Sequence, residues 1–131
     1  MKPKKIWANL GVEDVERTTK FYTTLGFAPN GASKKLVSFR FGNDDFVINF
    51  FLKETLLSNV KGRLADPKDG NEVIFTLSAE SRNEVDNCVK EVEDAGGKIV
   101  SGPEDLGETY YACVFTDPDE HKFNVFYMEG I

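Results

Sequence analysis

The chain has 131 residues, 40% of them hydrophobic and 29% charged, the composition of a folded domain long enough to bury a core without staples. Its 22 acidic and 16 basic side chains leave a net charge of -6, which argues against a nucleic-acid surface; acidic solubility accounts for it, and a cationic ligand is compatible with it. No run approaches the roughly 18 uncharged apolar residues of a bilayer span, and Met1-Lys2-Pro3-Lys4-Lys5 lacks the apolar stretch of a secretion signal, so a cytoplasmic protein with no membrane partner is expected.

From Ile6 to Val12 the residues alternate, with Ile6, Ala8, Leu10 and Val12 opposite Trp7, Asn9 and Gly11, the period of a half-buried strand. Glu13-Asp14 then suits a helix start, because an Asp oxygen accepts from first-turn amides and its charge matches the positive end of the helix dipole. Val15, Thr18, Tyr22 and Leu25 recur at helical spacing, and Gly26 ends the run. Pro29-Asn30-Gly31 reads as a turn. Leu36 to Phe41 and Phe46 to Leu52 read as strands joined by the hairpin loop Gly42-Asn43-Asp44-Asp45.

Residues 53–71 break the periodicity and form a connector between a first module (about 1–54) and a second (about 72–131) of one domain; Thr55-Leu56-Leu57 suggests a short helix within it. Glu72 to Ser78 is the next expected strand. Ser81-Arg82-Asn83-Glu84 is a capping box for a helix whose apolar face is Val85, Cys88, Val89, Val92 and Ala95, closed by Gly96-Gly97. A short strand at Ile99-Val100, a loop from Gly102 to Gly107, a strand from Tyr110 to Thr116, the turn Asp117-Pro118-Asp119-Glu120 and a strand from Lys122 to Met128 complete the pattern. Cys88 on the helix and Cys113 on a strand read as reduced core residues rather than a disulfide framework.

The order of elements occurs twice, each half reading βαβββ, which points to a duplicated unit. Asn9-Leu10-Gly11-Val12-Glu13-Asp14-Val15-Glu16-Arg17 leading to Phe21-Tyr22 and Leu25-Gly26-Phe27, followed later by Asp117-Pro118-Asp119, His121 and Val125, resembles the vicinal oxygen chelate superfamily. That family includes glyoxalase I, extradiol dioxygenases, and the bleomycin and fosfomycin resistance proteins. The resemblance implies an α+β fold of two βαβββ modules in tandem, forming a curled mixed sheet around a cavity, and commonly a homodimer.

The resemblance also implies a metal site with one ligand from the first and last strand of each module, commonly His or Gln and then Glu. In this chain those positions are Trp7, Asn49, Ile74 and Asn124. An indole has no free lone pair, an aliphatic chain has no donor, and a neutral amide oxygen is a poor ligand for a transition metal. No metal or other cofactor is therefore expected.

Alternation places Asn49 with Val47 and Phe51, and Asn124 with Phe126 and Met128, so the two asparagine faces are the candidate cavity walls. Trp7, Asn9, Arg40, Asn49, Phe51, Tyr110, Asn124 and Phe126 are the candidate ligand-binding residues, and a small organic ligand that is planar or amphipathic suits them. Arg40 either forks a ligand carboxylate or phosphate or lies on an exposed strand face. His121 is expected on the surface or supporting its turn, and Glu120, where the family usually has Gly, costs on the order of 1 kcal/mol if the turn needs positive φ. Three functions compete: metal-independent sequestration of a small molecule, a lactoylglutathione lyase-like isomerase or ring-cleaving dioxygenase with a displaced, non-standard metal site, and an interaction module whose cavity is filled by its own side chains. The catalytic residues of the second are not identifiable.

Overall fold

In the computed structural model, which describes residues 1–130, strand β1 (Trp7–Val12) passes into helix α1 (Val15–Thr24) through Asp14. The Asp14 carboxylate accepts from the Arg17 amide at 3.1 Å, satisfying a donor that the first helical turn leaves open. At the other end Phe27 N donates to Tyr22 O and Gly26 N to Thr23 O, a reversal that halts the helix. Strands β2 (Ala28–Ala32), β3 (Leu36–Phe41) and β4 (Phe46–Leu52) follow, and the sheet order is β1-β4-β3-β2. β1 runs parallel to β4; the other neighbours are antiparallel.

Helix α1 lies on one face of this sheet and sets its core. Tyr22 is fully buried, stacked 4.5 Å from Phe50 and tilted against Phe39 at 5.5 Å, with Phe21 edge-on at 4.9 Å. Each such ring removes apolar surface from water worth about 1.5–3 kcal/mol, so this cluster is the main stabiliser of the first module. A helix α2 (Lys53–Val60) then packs Leu56 inward and includes the expected Thr55-Leu56-Leu57 stretch.

The second module repeats the plan. Strand β5 (Phe75–Ser78), helix α3 (Arg82–Ala95), and strands β6 (Lys98–Leu106), β7 (Tyr110–Thr116) and β8 (Lys122–Met128) give a sheet of order β5-β8-β7-β6, again with one parallel pair. Ser81 caps α3 by accepting from Glu84 N at 3.1 Å, while the Glu84 carboxylate takes the Glu80 amide rather than that of Ser81. Gly96, at φ 101, closes the helix with the same reversal as in α1: Gly97 N donates to Val92 O. Phe115 and Phe123 stack at 5.2 Å on the helix side. The chain divides into two compact units, Met1–Ala65 and Asp66 onward.

Three expectations change. Pro29-Asn30-Gly31 belongs to β2: a proline that cannot donate is tolerated on an edge strand, and a bulge between Pro29 and Gly31 absorbs the irregularity. The stretch from Gly102 to Leu106 is strand, not loop, because β6 continues through two register shifts. At Gly102, with φ 78, a Cβ would lie 2.4 Å from the Ala112 carbonyl oxygen, so only glycine lets the strands approach there. β5 is shorter than expected and begins at Phe75, leaving Ile74 just outside it.

Cys88 and Cys113, distant in sequence and both free thiols, are neighbours between α3 and β7, and Cys113 Sγ donates to Val85 O at 4.0 Å. The interaction with Cys113, followed by burial, pushes the Cys88 thiol up, while the interaction with Cys88 draws Cys113 down. Among the described residues no helix is long and apolar enough to cross a membrane.

Candidate functional site

Strand alternation gives the first sheet two unlike faces. Val37, Phe39, Phe41, Ile48 and Phe50 meet α1; the opposite face carries Trp7, Asn9, Ser38, Arg40, Val47, Asn49 and Phe51. The five candidates of this module therefore share one face. Across it runs a directed chain of hydrogen bonds. Asn30 Nδ2 donates to Ser38 Oγ at 3.3 Å, Ser38 Oγ to Asn49 Oδ1 at 2.7 Å, and Asn49 Nδ2 to Asn9 Oδ1 at 3.0 Å. All four strands contribute one residue.

The register explains the chain. Asn9 and Asn49 are Cα partners in the parallel pair, and Ser38 and Asn49 are partners in the antiparallel pair, so three polar side chains stand abreast. Ser38 is only 4% exposed, which makes its hydroxyl dependent on these bonds. Trp7 is 57% exposed at the start of β1. Arg40 is exposed and donates to Pro29 O at 3.3 Å, tying β3 to the edge strand. The start of α2 closes one end of the face: a Cβ on Gly11 would come within 3.0 Å of Lys53 Cγ, and Lys53 reaches Glu13 at 2.9 Å.

In the second module Tyr110, Asn124 and Phe126 line one cavity of about 260 Å³ together with Thr76, Leu106 and Ala112. Thr76 is the Cα partner of Asn124, the place that Asn9 holds beside Asn49. Val114 takes the place of Ser38 opposite Asn124, so a polar relay of the first kind has no counterpart here. Tyr110 packs 5.8 Å from Phe126, giving the cavity an aromatic wall. Sequence reasoning missed Asn30, Ser38, Thr76, Leu106 and Ala112. Each is legible only once the strands are paired.

The Asp117–His121 turn does not line this second-module cavity. Asp117 accepts the amides of Asp119 and His121 through Oδ1 and meets His121 Nδ1 through Oδ2, each at 2.9 Å. His121 is 5% exposed, so it supports its turn from within. Glu120 has φ 70, the left-handed conformation that costs a residue with a Cβ about 1–2 kcal/mol.

A family model of the glyoxalase/bleomycin resistance protein/dioxygenase superfamily matches residues 6–125. The chain belongs to that superfamily. Among solved structures, it is similar to a hypothetical protein from S. aureus at 29% identity, with 97% of this chain and 95% of that chain covered and a TM-score of 0.85. A glyoxalase-related enzyme from Fulvimarina pelagi shares the fold at 18% identity, 95% and 88% coverage and a TM-score of 0.84. A glyoxalase/bleomycin resistance protein/dioxygenase from Nocardioides does so at 21%, 100% and 87%, with a TM-score of 0.75. No curated protein sequence matches the chain.

The superfamily's usual metal positions do not fit a metal in this member. Asn49 Oδ1 already accepts from Ser38, and its other atom is a donor. Trp7 and Ile74 have no donor atom to give, and Asn124 is a neutral amide beside apolar walls. Among the described residues no three His, Cys, Asp or Glu side chains gather into a group able to hold a cation.

Proposed function

We propose that this superfamily member is a metal-independent, cytoplasmic small-molecule binding protein that takes a planar or amphipathic organic ligand on its asparagine faces. The observation that carries this reading is the directed chain from Asn30 to Asn9. It engages the Asn49 oxygen, at a position where the superfamily resemblance implies a metal-binding carboxylate, in holding Ser38. The chain ends at the exposed Asn9, whose remaining amide hydrogens point the chemistry toward a ligand oxygen that accepts. On the first module Trp7 and Phe51 beside it supply apolar surface to a ring or chain, and on the second the Tyr110–Phe126 wall does the same for its own cavity.

A homodimer is part of the same proposal. β1 and β2 end the first sheet, β5 and β6 end the second, and Ile6 and Trp7 are 77% and 57% exposed where β1 begins. Pairing with a second copy removes such open edges from solvent.

Native mass spectrometry after gentle purification, followed by titration of the recovered compound against Trp7 fluorescence, tests the binding reading. A retained organic mass whose binding shifts the Trp7 emission and the Asn49 amide resonance, or the Asn124 amide resonance, supports it. Turnover that appears only on adding a divalent metal contradicts it, as does a ligand that binds and leaves all three reporters unmoved.

A further inference from the structure

The second sheet holds one more arrangement on its asparagine face. Lys98, Thr116 and Lys122 are Cα partners across β6, β7 and β8, so their side chains stand in one row. Lys122 precedes Asn124 by two residues on β8 and therefore shares its face. The row borders a cavity of about 310 Å³ whose opposite lip is the connector turn bearing Lys68. That turn is held in place: Asn71 Nδ2 donates both to Pro67 O and to Glu120 O, tying the connector to the β7–β8 turn.

Charge decides what such a cavity takes. Two strand spacings separate Lys98 from Lys122 by about 10 Å of backbone, a gap their flexible stems can close over one group seated on Thr116. None of the ion pairs among the described residues uses Lys68, Lys98 or Lys122. Asp69 and Glu120 also line the cavity, leaving three ammonium groups against two carboxylates in a chain whose net charge is -6. Among the described residues, three ammonium groups outside any ion pair outnumber the carboxylates of this cavity, a balance that favours an anion over a cation.

The geometry points to an oxyanion subsite at Lys98, Thr116 and Lys122, binding the carboxylate or phosphate of an amphipathic small molecule whose apolar part lies on Ala112 and Phe126. This rests on the proposed small-molecule binding for the apolar half alone. Successive rows of the same face run from Lys122 through Asn124 to Phe126, four residues or roughly 14 Å along β8, so the ligand is an elongated one with charge at one end.

Amide resonances of the labelled protein titrated with octanoate, octyl phosphate and octan-1-ol, each below its micelle concentration, separate the parts. Both anions should shift Lys98, Thr116 and Lys122 together with Asn124 and Phe126, and bind at least tenfold tighter than octanol. The tighter of the two identifies the oxyanion. In the Lys98→Gln/Lys122→Gln variant the anions should fall to the affinity of octanol while octanol itself is unchanged. Anions that bind no tighter than octanol, or that keep their affinity in the variant, overturn the subsite. Anions that shift the lysine row while no probe shifts Asn124 or Phe126 leave the subsite standing and remove the apolar binding reading instead.

Discussion

The Ser38 hydroxyl donates to Asn49 Oδ1 at 2.7 Å between directly opposed residues of β3 and β4, the shortest link in a chain that crosses the whole first sheet. Ser38 is buried and receives its other bond from the exposed side of the sheet through Asn30. Asn49→Ala should therefore destabilise the protein by about 1–3 kcal/mol, the cost of a buried hydroxyl without its acceptor. Ser38→Ala on top of it should add little, giving a coupling of roughly 1 kcal/mol in urea denaturation. Strictly additive losses would show that the bond contributes nothing.

Two backbone positions should respond in opposite directions. Gly102→Ala places a Cβ 2.4 Å from the Ala112 carbonyl oxygen at φ 78 and should cost about 2 kcal/mol or more. Glu120→Gly relieves φ 70 and should raise stability by about 1 kcal/mol. Urea midpoints report both. A Glu120→Gly protein no more stable than the parent would mean the side chain offsets its own strain.

On the helix side of the second sheet the Tyr111 hydroxyl donates to Asp86, and Arg82 lies over the Tyr111 ring. The hydrogen bond to the carboxylate holds the phenol above its usual titration range. The folded state thus favours the neutral phenol: its contribution is full below about pH 10 and fades as pH rises through the raised value. Asp86→Asn should bring the Tyr111 transition down in an ultraviolet absorbance titration, assigned by its loss in Tyr111→Phe. An unmoved transition would remove Asp86 as the cause.

What the sequence discloses and what it hides follow one division. Helix ends were legible because a cap is local: Asp14 and Ser81 act on amides three residues away. β7 and β8 were legible from alternation alone, with bounds at Tyr110, Thr116, Lys122 and Met128. β2 and the far half of β6 were not, since Pro29, Gly31 and Gly102 are turn formers that tertiary pairing overrides through bulges. The face of Asn49 could be read from a period of two. Its partners could not, because Asn30, Ser38 and Asn9 meet it only through register, which no single strand contains. The Lys98–Thr116–Lys122 row stayed hidden for the same reason, as did the meeting of Cys88 with Cys113.

The proposed homodimer should appear in light scattering at micromolar concentration as a mass near twice 14.7 kDa. Ile6→Lys together with Trp7→Lys, which charges the exposed start of β1, should shift it toward the monomer. A parent protein at 14.7 kDa under the same conditions would contradict the assembly.

The most direct test of the account is elemental analysis of the purified protein after dialysis, alone and after incubation with Zn, Ni, Mn or Fe(II). Catalytic centres of such metals keep about three protein ligands, whereas Trp7, Asn49, Ile74 and Asn124 supply two neutral amides, one of them engaged by Ser38. The account predicts far less than one metal per chain in every case, and no turnover of the methylglyoxal–glutathione adduct. Close to one metal per chain, lost in Asn49→Ala/Asn124→Ala, would contradict it and put the metal-dependent enzyme reading first.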